Sequence, residues 1–160
     1  MTPIGALEAS AFGVAMRESP WLFPAIEALH VFGITLLVGS VAILDLRLLG
    51  LSRSFSVRRL AMRVLPWSIA SFALIIPSGL AMFVAHAGDL ISSSVFAVKI
   101  TLILLAGANA GIFHAGVFRG SVQWDVNVMP PMAARAAAAA SLLLWISVIG
   151  CGLRLAYFQS

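Results

Sequence analysis

The stretch WLFPAIEALHVFGITLLVGSVAIL, residues 21–44, is apolar along its length apart from two ionisable side chains, Glu27 and His30. A helix needs about 20 apolar residues to cross the roughly 30 Å hydrocarbon core of a bilayer, so this stretch predicts a membrane span. Ionisable groups inside a span are costly and usually mark a functional site. The E-x-x-H pair, spaced by one helical turn, therefore needs partners from other helices.

The composition agrees with a membrane protein: 61% of the 160 residues are hydrophobic and 10% are charged, whereas soluble domains carry about 25% charge. Three further apolar segments predict spans at residues 64–87, 95–118 and 132–158. We predict an all-α, integral membrane four-helix bundle, a single domain over residues 1–160, with a short interfacial helix at residues 4–16. The net charge of +4 comes from scattered arginines, a pattern that does not indicate nucleic-acid binding.

Arginine placement predicts the orientation of the chain. The connection between the first two spans contains five arginines, whereas the connection AGDLISSS between the second and third contains none; the five are Arg47, Arg53, Arg58, Arg59 and Arg63. Positive residues stay on the cytoplasmic side. We therefore predict a multi-pass protein of the bacterial cytoplasmic membrane with both termini outside.

With this orientation, four ionisable side chains share the outer half of the bundle. At 1.5 Å per residue, His30 lies roughly 12 Å below the outer boundary and Lys99 roughly 6 Å below it. Glu27 lies one turn above His30, and His86 lies near the boundary. Three uses of this cluster are considered: haem, copper, and a proton path.

The haem hypothesis makes His30 an axial ligand of a b-type haem, because histidine is a common axial ligand between bundle helices. His86 is the expected opposite ligand, since a neutral imidazole binds iron readily, and Lys99 is the reserve because it must first lose a proton. Glu27 would orient His30 by accepting its other ring N–H.

Small and flexible residues near these ligands would leave room for a flat macrocycle. Gly33 lies on the face of His30, and Gly79 and Met82 lie on the face of His86. Lys99 and Arg154 would meet the haem propionates.

The alternatives use overlapping residues. Copper would be held by His30, His86 and Met82, which are suitable ligand types, in a copper-handling or transport protein. A proton or polar-solute path would use relay groups, here Glu27, His30, Lys99 and Asn109. An interhelical salt bridge without a ligand would account for the same residues.

Two other features concern packing. The G-x-x-x-G at Gly107 and Gly111, extended by Ala115, predicts a close helix contact, either within the bundle or with a second copy in a homo-oligomer. His114 is interpreted first as a hydrogen-bonded packing histidine; the alternative is an inner-side site with Asp45, where a quinone head group would dock.

Two aromatic and two acidic residues near the predicted boundaries complete the expectations. Trp67 and Trp124 are expected to be interfacial anchors. Asp89 and Asp125 are expected to be solvated.

Three segments carry a family resemblance: ALHVFGITLLVGSVAILDLRLLG, RRLAMRVLPWSIASFALIIPSGLAMF and FAVKITLILLAGANAGIFH. They resemble small four-span bacterial membrane proteins of the HemJ type and the related CopD-like copper-resistance proteins. The shared elements are a histidine early in span one, a basic loop, a Gly-Leu late in span two and a lysine early in span three. HemJ-type proteins are haem-b-binding protoporphyrinogen oxidases, so the resemblance implies a functional pair at His30 and Lys99.

The chain departs from that family at two places. The N-E-x-P ending near the last span is replaced by ARAAAAASLLLW, and His86 is additional. We therefore expect a relative that keeps the haem-type bundle and has a changed role, namely electron transfer with quinone or an outer-side redox protein. The residues leave open whether the chain is an enzyme; a membrane oxidoreductase is the activity they would support.

Overall fold

The computed structural model describes residues 2–158, which form helices joined by short connections. The helices are α1 (Pro3–Glu8), α2 (Ala11–Glu18), α3 (Leu22–Leu48), α4 (Val57–Ala85), α5 (Ala87–Ser92), α6 (Ser94–Ala115), the 3₁₀ helix η1 (Val117–Trp124) and α7 (Met132–Phe158).

Four of these helices, α3, α4, α6 and α7, are long and apolar enough to cross a membrane. No strand occurs in residues 2–158. The predicted all-α four-helix membrane bundle is confirmed, and the chain is a multi-pass membrane protein.

The helices at one end of the bundle run further than predicted. The first span was expected to end at residue 44, but α3 continues to Leu48; the second was expected to begin at residue 64, but α4 begins at Val57. The early start of α4 has a local cause. Ser56 is its N-cap, and the Ser56 hydroxyl accepts a hydrogen bond from the Arg59 N–H, which satisfies one of the free donors of the first turn.

Seven of the ten basic residues lie at this end, namely Arg47, Arg53, Arg58, Arg59, Arg63, Arg119 and Arg135. We call it the Arg-rich end; the opposite end contains α1, α2 and α5. Most of the arginines that were predicted to lie in a loop are on terminal turns of helices. They are still at the same end of the bundle, so the predicted charge difference between the two ends is unchanged.

The bundle consists of two helical hairpins, α3–α4 and α6–α7, joined through contacts between α3 and α7. In residues 2–158 the backbone of α6 does not approach those of α3 and α4 closely, but its side chains reach α4, where the Phe96 ring stacks on Phe83 with 6.0 Å between centroids. Phe113 of α6 also belongs to one core cluster with Leu44 of α3 and Ala61 of α4.

Small residues allow α3 and α4 to approach closely. A Cβ atom on Gly33 would lie 2.8 Å from Ile75 Cγ1. Buried serines also lie in this contact, and each of three donates its hydroxyl to a carbonyl one turn earlier in its own helix, namely Ser40, Ser68 and Ser78. These bonds satisfy the hydroxyls internally, as a lipid environment requires.

Arg47 holds the Arg-rich end together. It was predicted to lie in a loop, but it is in the last turn of α3 and is 2% exposed. Its guanidinium donates to the carbonyls of Phe55 (2.7 Å), Arg53 (3.2 Å) and Asp125 (2.9 Å). One side chain thereby joins the α3–α4 connection to the α6–α7 connection.

Two predictions about the α6–α7 connection are wrong. Trp124 is not an interfacial anchor: η1 folds it back so that it is 7% exposed and packs with Leu48 and Phe113. Asp125 is not simply solvated, because its carboxylate accepts from the Ser56 hydroxyl at 2.7 Å and the Arg58 N–H at 2.8 Å. Trp67, by contrast, is exposed, and so is Asp89.

At the opposite end, the predicted interfacial helix at residues 4–16 is two helices, α1 and α2, that dock on the protein. Met16 is fully buried. Glu8 Oε1 accepts from the Gly88 N–H at 2.8 Å, and Arg17 donates to the Ala85 carbonyl at 3.0 Å. The two short helices therefore cover the corner between α4 and α5.

The G-x-x-x-G face of α6 has no neighbour in the described chain. A Cβ atom on either Gly107 or Gly111 would meet no other group within 4 Å. Of the two predicted partners for this face, a helix of the same bundle is excluded by these contacts, and a second copy remains a prediction.

The Asp125 contacts predict a pH dependence of stability. Burial alone would raise the pKa of the Asp125 carboxyl, but the hydrogen bonds from Arg58 and Ser56 and the charges of Arg58 and Arg47 outweigh it, so this pKa lies below its ordinary value. A carboxyl with a lowered folded-state pKa stabilises the fold above its unfolded-state pKa of about 3.9, and that contribution is lost as the pH falls through the folded-state value.

We therefore expect Asp125→Asn to lower the thermal unfolding temperature in detergent at about pH 7 and to change it little at about pH 3. The exposed Asp89 supplies the control variant Asp89→Asn. An equal loss of stability at both pH values would contradict the charge-based explanation.

Candidate functional site

His30 lies on α3 and is held by Ser78 of α4, with 2.9 Å between His30 Nδ1 and Ser78 Oγ. The Ser78 hydroxyl donates to the Leu74 carbonyl, so the Ser78 oxygen accepts from His30 Nδ1–H. This network assigns the tautomer in which Nε2 keeps its lone pair. One ring nitrogen of His30 is therefore fixed by a hydrogen-bond partner, a feature that metal-binding histidines share.

Gly79 provides the space that the His30 ring occupies. A Cβ atom at Gly79 would lie 3.1 Å from His30 Cε1 and 3.6 Å from Nδ1. Gly33 has a different surrounding, because Leu74 and Ile75 fill the space beside it. The structure thus places Gly79 against the candidate ligand and Gly33 in the helix contact one turn away.

Lys99 of α6 is the ionisable residue that the structure brings towards His30. It is close enough to His30 for their charges to interact. Lys99 Nζ lies 3.8 Å from the position of a Cβ atom at Gly152 of α7, and Lys99 also interacts with Cys151. His30 and Lys99 thus belong to different hairpins, α3–α4 and α6–α7.

His86 lies about two helical turns from the level of His30. It lies at the junction of α4 and α5, and its ring is edge-on to the ring of Phe23, with 5.5 Å between centroids. Phe23 precedes His30 by two helical turns, about 10 Å at 1.5 Å per residue. Met82, also on α4, lies between the levels of Gly79 and His86 and is half-buried.

Glu27 and Arg154 have looser placements. Glu27 is half-buried, and within residues 2–158 no hydrogen bond or ion pair joins it to His30, whose Nδ1 is bound to Ser78. Arg154 lies on α7 beyond Gly152 and is exposed. The expected orienting role of Glu27 is therefore filled by Ser78, which sequence reasoning missed. The only signal for Ser78 was a hydroxyl beside Gly79 in an otherwise apolar span.

A second polar group lies at the Arg-rich end, around a cavity of about 100 Å³ lined by all four spans. Asp45 and His114 both line it, as does Asn109. Asn109 comes ten residues after Lys99 on α6, about 15 Å away along the helix, so it belongs to this cavity and not to the surroundings of His30. Asp45 and His114 line the same cavity, as the alternative interpretation required, and His114 also has the hydrogen bond and ring contact that its interpretation as a packing histidine predicted.

The described residues contain no group of three or more His, Cys, Asp or Glu side chains that could hold a metal ion. The ligand set around His30 is instead one imidazole with one lysine amine nearby. Such a set resembles the axial pair of a haem more than the cage of a bare ion, because the macrocycle supplies the remaining ligands of haem iron.

The chain matches no protein family, no curated protein and no solved structure. The resemblance to HemJ-type and CopD-like proteins therefore rests on the residues quoted above.

Proposed function

We propose that this chain is a b-type haem protein of the bacterial cytoplasmic membrane that transfers electrons to or from quinone or an outer-side redox protein. The observation that carries the proposal is the state of His30: Nδ1 is bound to Ser78, and the ring lies within reach of the charge of Lys99 on α6. This arrangement offers two nitrogen donors from two different hairpins, His30 on α3 and Lys99 on α6.

The residues present fit such a group. His30 would bind the iron, Ser78 would hold the imidazole in one orientation, and Gly79 would let the ring lie flat against α4. Bound haem supplies one-electron chemistry, and the protein tunes it through the ligands and their hydrogen bonds. Arg154, exposed on α7 near the same end, is suited to contact propionates.

The geometry changes the order of the candidate second ligands. His86 was expected ahead of Lys99 because an imidazole binds iron without losing a proton. Since His86 contacts Phe23, two turns from His30, and His30 lies within reach of the charge of Lys99, we place Lys99 first. This order also agrees with the pair that the family resemblance implies.

The orientation follows from the charge difference between the ends. With the Arg-rich end in the cytoplasm, both ends of the chain lie outside, although Met1 and residues 159–160 are outside the described range. His30 and Lys99 then lie in the outer half, within reach of an outer-side partner. Self-association through the uncovered Gly107 and Gly111 face is part of the same proposal.

Oxidised and reduced absorption spectra of ligand variants test the site. We expect His30→Ala to lose the haem and Lys99→Ala to lose it or change its ligand-dependent bands, while His86→Ala keeps the wild-type spectrum. Ser78→Ala should weaken haem binding by about 10- to 100-fold, as loss of a partner of a metal-bound histidine does.

The matched control for Ser78→Ala is Ser40→Ala, which removes another α3–α4 hydroxyl bonded to its own helix. An unchanged spectrum in His30→Ala would refute the assignment. Loss of haem in His86→Ala with retention in Lys99→Ala would restore His86 as the second ligand.

A further inference from the structure

The cavity at the Arg-rich end is separate from the His30 site. Asp45 follows His30 by fifteen residues on α3, about 22 Å along the helix. The cavity lies between α3, α4, α6 and α7 and its walls are largely apolar, with Val41, Leu44 and Ala138 among the lining residues. The polar groups that line it therefore lie in largely apolar surroundings.

Asp45 has a buried oxygen without a partner. The residue is 6% exposed and accepts a hydrogen bond from Ser141 of α7. Its second carboxyl oxygen, Oδ2, has no hydrogen-bond partner in the described structure. An ionised carboxylate without a positive or hydrogen-bonding partner is unfavourable in such surroundings, so Asp45 requires either a proton or a guest that donates to it.

His114 also has a buried nitrogen that lacks a hydrogen-bond partner in the described residues. Its Nδ1–H donates to the Ala110 carbonyl at 2.8 Å, and Nε2 is buried without a partner in residues 2–158. With Nδ1 protonated, the neutral imidazole presents Nε2 as a hydrogen-bond acceptor. Phe113 and Phe118 contact the ring, which limits its freedom to rotate towards another partner.

The remaining polar groups of the cavity do not supply what these two atoms lack. The Ser68 hydroxyl donates to the Val64 carbonyl, and the Asn109 amide donates to the Ala137 carbonyl. Asp45 of α3 and His114 of α6 are the two titratable groups among the lining residues, and α4 and α7 contribute none. Arg47 lies two residues from Asp45; its Nε and Nη2 donate to loop carbonyls, and its Nη1 has no hydrogen-bond partner in residues 2–158, so it does not bond to Asp45.

We propose that this cavity is a hydrated proton-binding site, in which water joins Asp45 Oδ2 to His114 Nε2 and one proton is held between the two residues. A site for one water requires about 10–15 Å³ by a comparable measure, so a cavity of about 100 Å³ has room for several. The proton comes from water at the Arg-rich end, converts the carboxylate to a carboxyl group and returns to water when it leaves.

Access from water is short. Asp45 lies within one turn of the end of α3 at Leu48, and His114 is the penultimate residue of α6. The backbones of α4 and α6 do not approach closely in residues 2–158, so only side chains separate the cavity from its surroundings on that side. The site does not depend on the haem proposal, because none of its residues contacts His30 or Lys99.

Infrared difference spectroscopy of the protein in lipid vesicles, between acidic and alkaline pH, tests the site. We expect a carbonyl-stretch band of a protonated carboxyl group that shifts in D₂O, since water reaches the proton. Asp45→Asn should abolish this band, and His114→Gln should move its titration midpoint by about one pH unit, as loss of a close titratable neighbour does. Asp89→Asn is the control for an exposed aspartate and should leave the band unchanged.

Three results would overturn the proposal: a band that survives in Asp45→Asn, a band that does not shift in D₂O, or a midpoint unchanged in His114→Gln. A band displaced by ammonium ions at fixed pH would also overturn it, because the cavity would then bind that cation. Circular dichroism establishes whether Asp45→Asn folds. If it does not, wild type with carbon-labelled aspartate gives the same readout, since the chain has three aspartates and Asp89 and Asp125 can be replaced singly.

Discussion

Replacing Arg47 with alanine is expected to cause the largest loss of stability of any single substitution at the Arg-rich end. The guanidinium donates to three carbonyls, those of Phe55, Arg53 and Asp125. Hydrogen bonds from charged groups contribute about 1.5–3 kcal/mol each, and water at this end would replace some of them, so we expect a loss of roughly 3 kcal/mol or more. Unfolding by heat or denaturant in detergent measures it.

Arg58→Ala is the matched control, because Arg58 lies at the same end but its side chain is exposed. Arg47→Lys should fall between Arg47→Ala and wild type, since an ammonium group lacks the planar fork that reaches several carbonyls. If Arg47→Ala and Arg58→Ala unfold together, Arg47 does not join the two connections as described.

Replacing Gly33 with alanine is expected to separate α3 from α4. The new Cβ would lie 2.8 Å from Ile75 Cγ1 and 3.1 Å from Leu74 Cβ, so one of the helices must shift. Overpacking of this kind costs roughly 1–3 kcal/mol. Because Gly33 is one turn from His30, the shift should also weaken the contact between His30 and Ser78, and haem binding should fall together with stability.

Gly39 provides the control on the same helix, since a Cβ there meets nothing within 4 Å. Gly39→Ala should leave stability unchanged or raise it slightly, because alanine favours helix. The close α3–α4 contact would be contradicted by two variants of equal stability.

The spans were predictable from the sequence because hydropathy acts over whole helices. The segments from Trp21 to Leu44 and after Met132 are so apolar that the hydrocarbon core of a membrane is their stable location. Helix ends were less predictable: Arg47 has a charge that suggests a loop, yet it ends a helix because carbonyls from two connections surround it. Such partners come from distant parts of the chain and leave no local pattern.

Two ionisable residues of the candidate site were predictable from the sequence, but their surroundings were not. His30 and Lys99 stand out because ionisable groups in spans are costly, and the structure brings them towards each other. Ser78 was missed because a serine in a span usually bonds only to its own helix. Trp124 was misplaced because a tryptophan after a span normally marks the interface, whereas the turn of η1 carries this one into the core.

The most direct measurement for the central proposal is the absorption spectrum of the wild-type protein, purified from bacterial membranes with haem supply and accompanied by metal analysis. We predict a red protein with a Soret band, α and β bands that sharpen on reduction, and iron in proportion to the chain. A colourless protein without iron would contradict the proposal, and copper bound through His30 in its place would establish the copper-handling alternative.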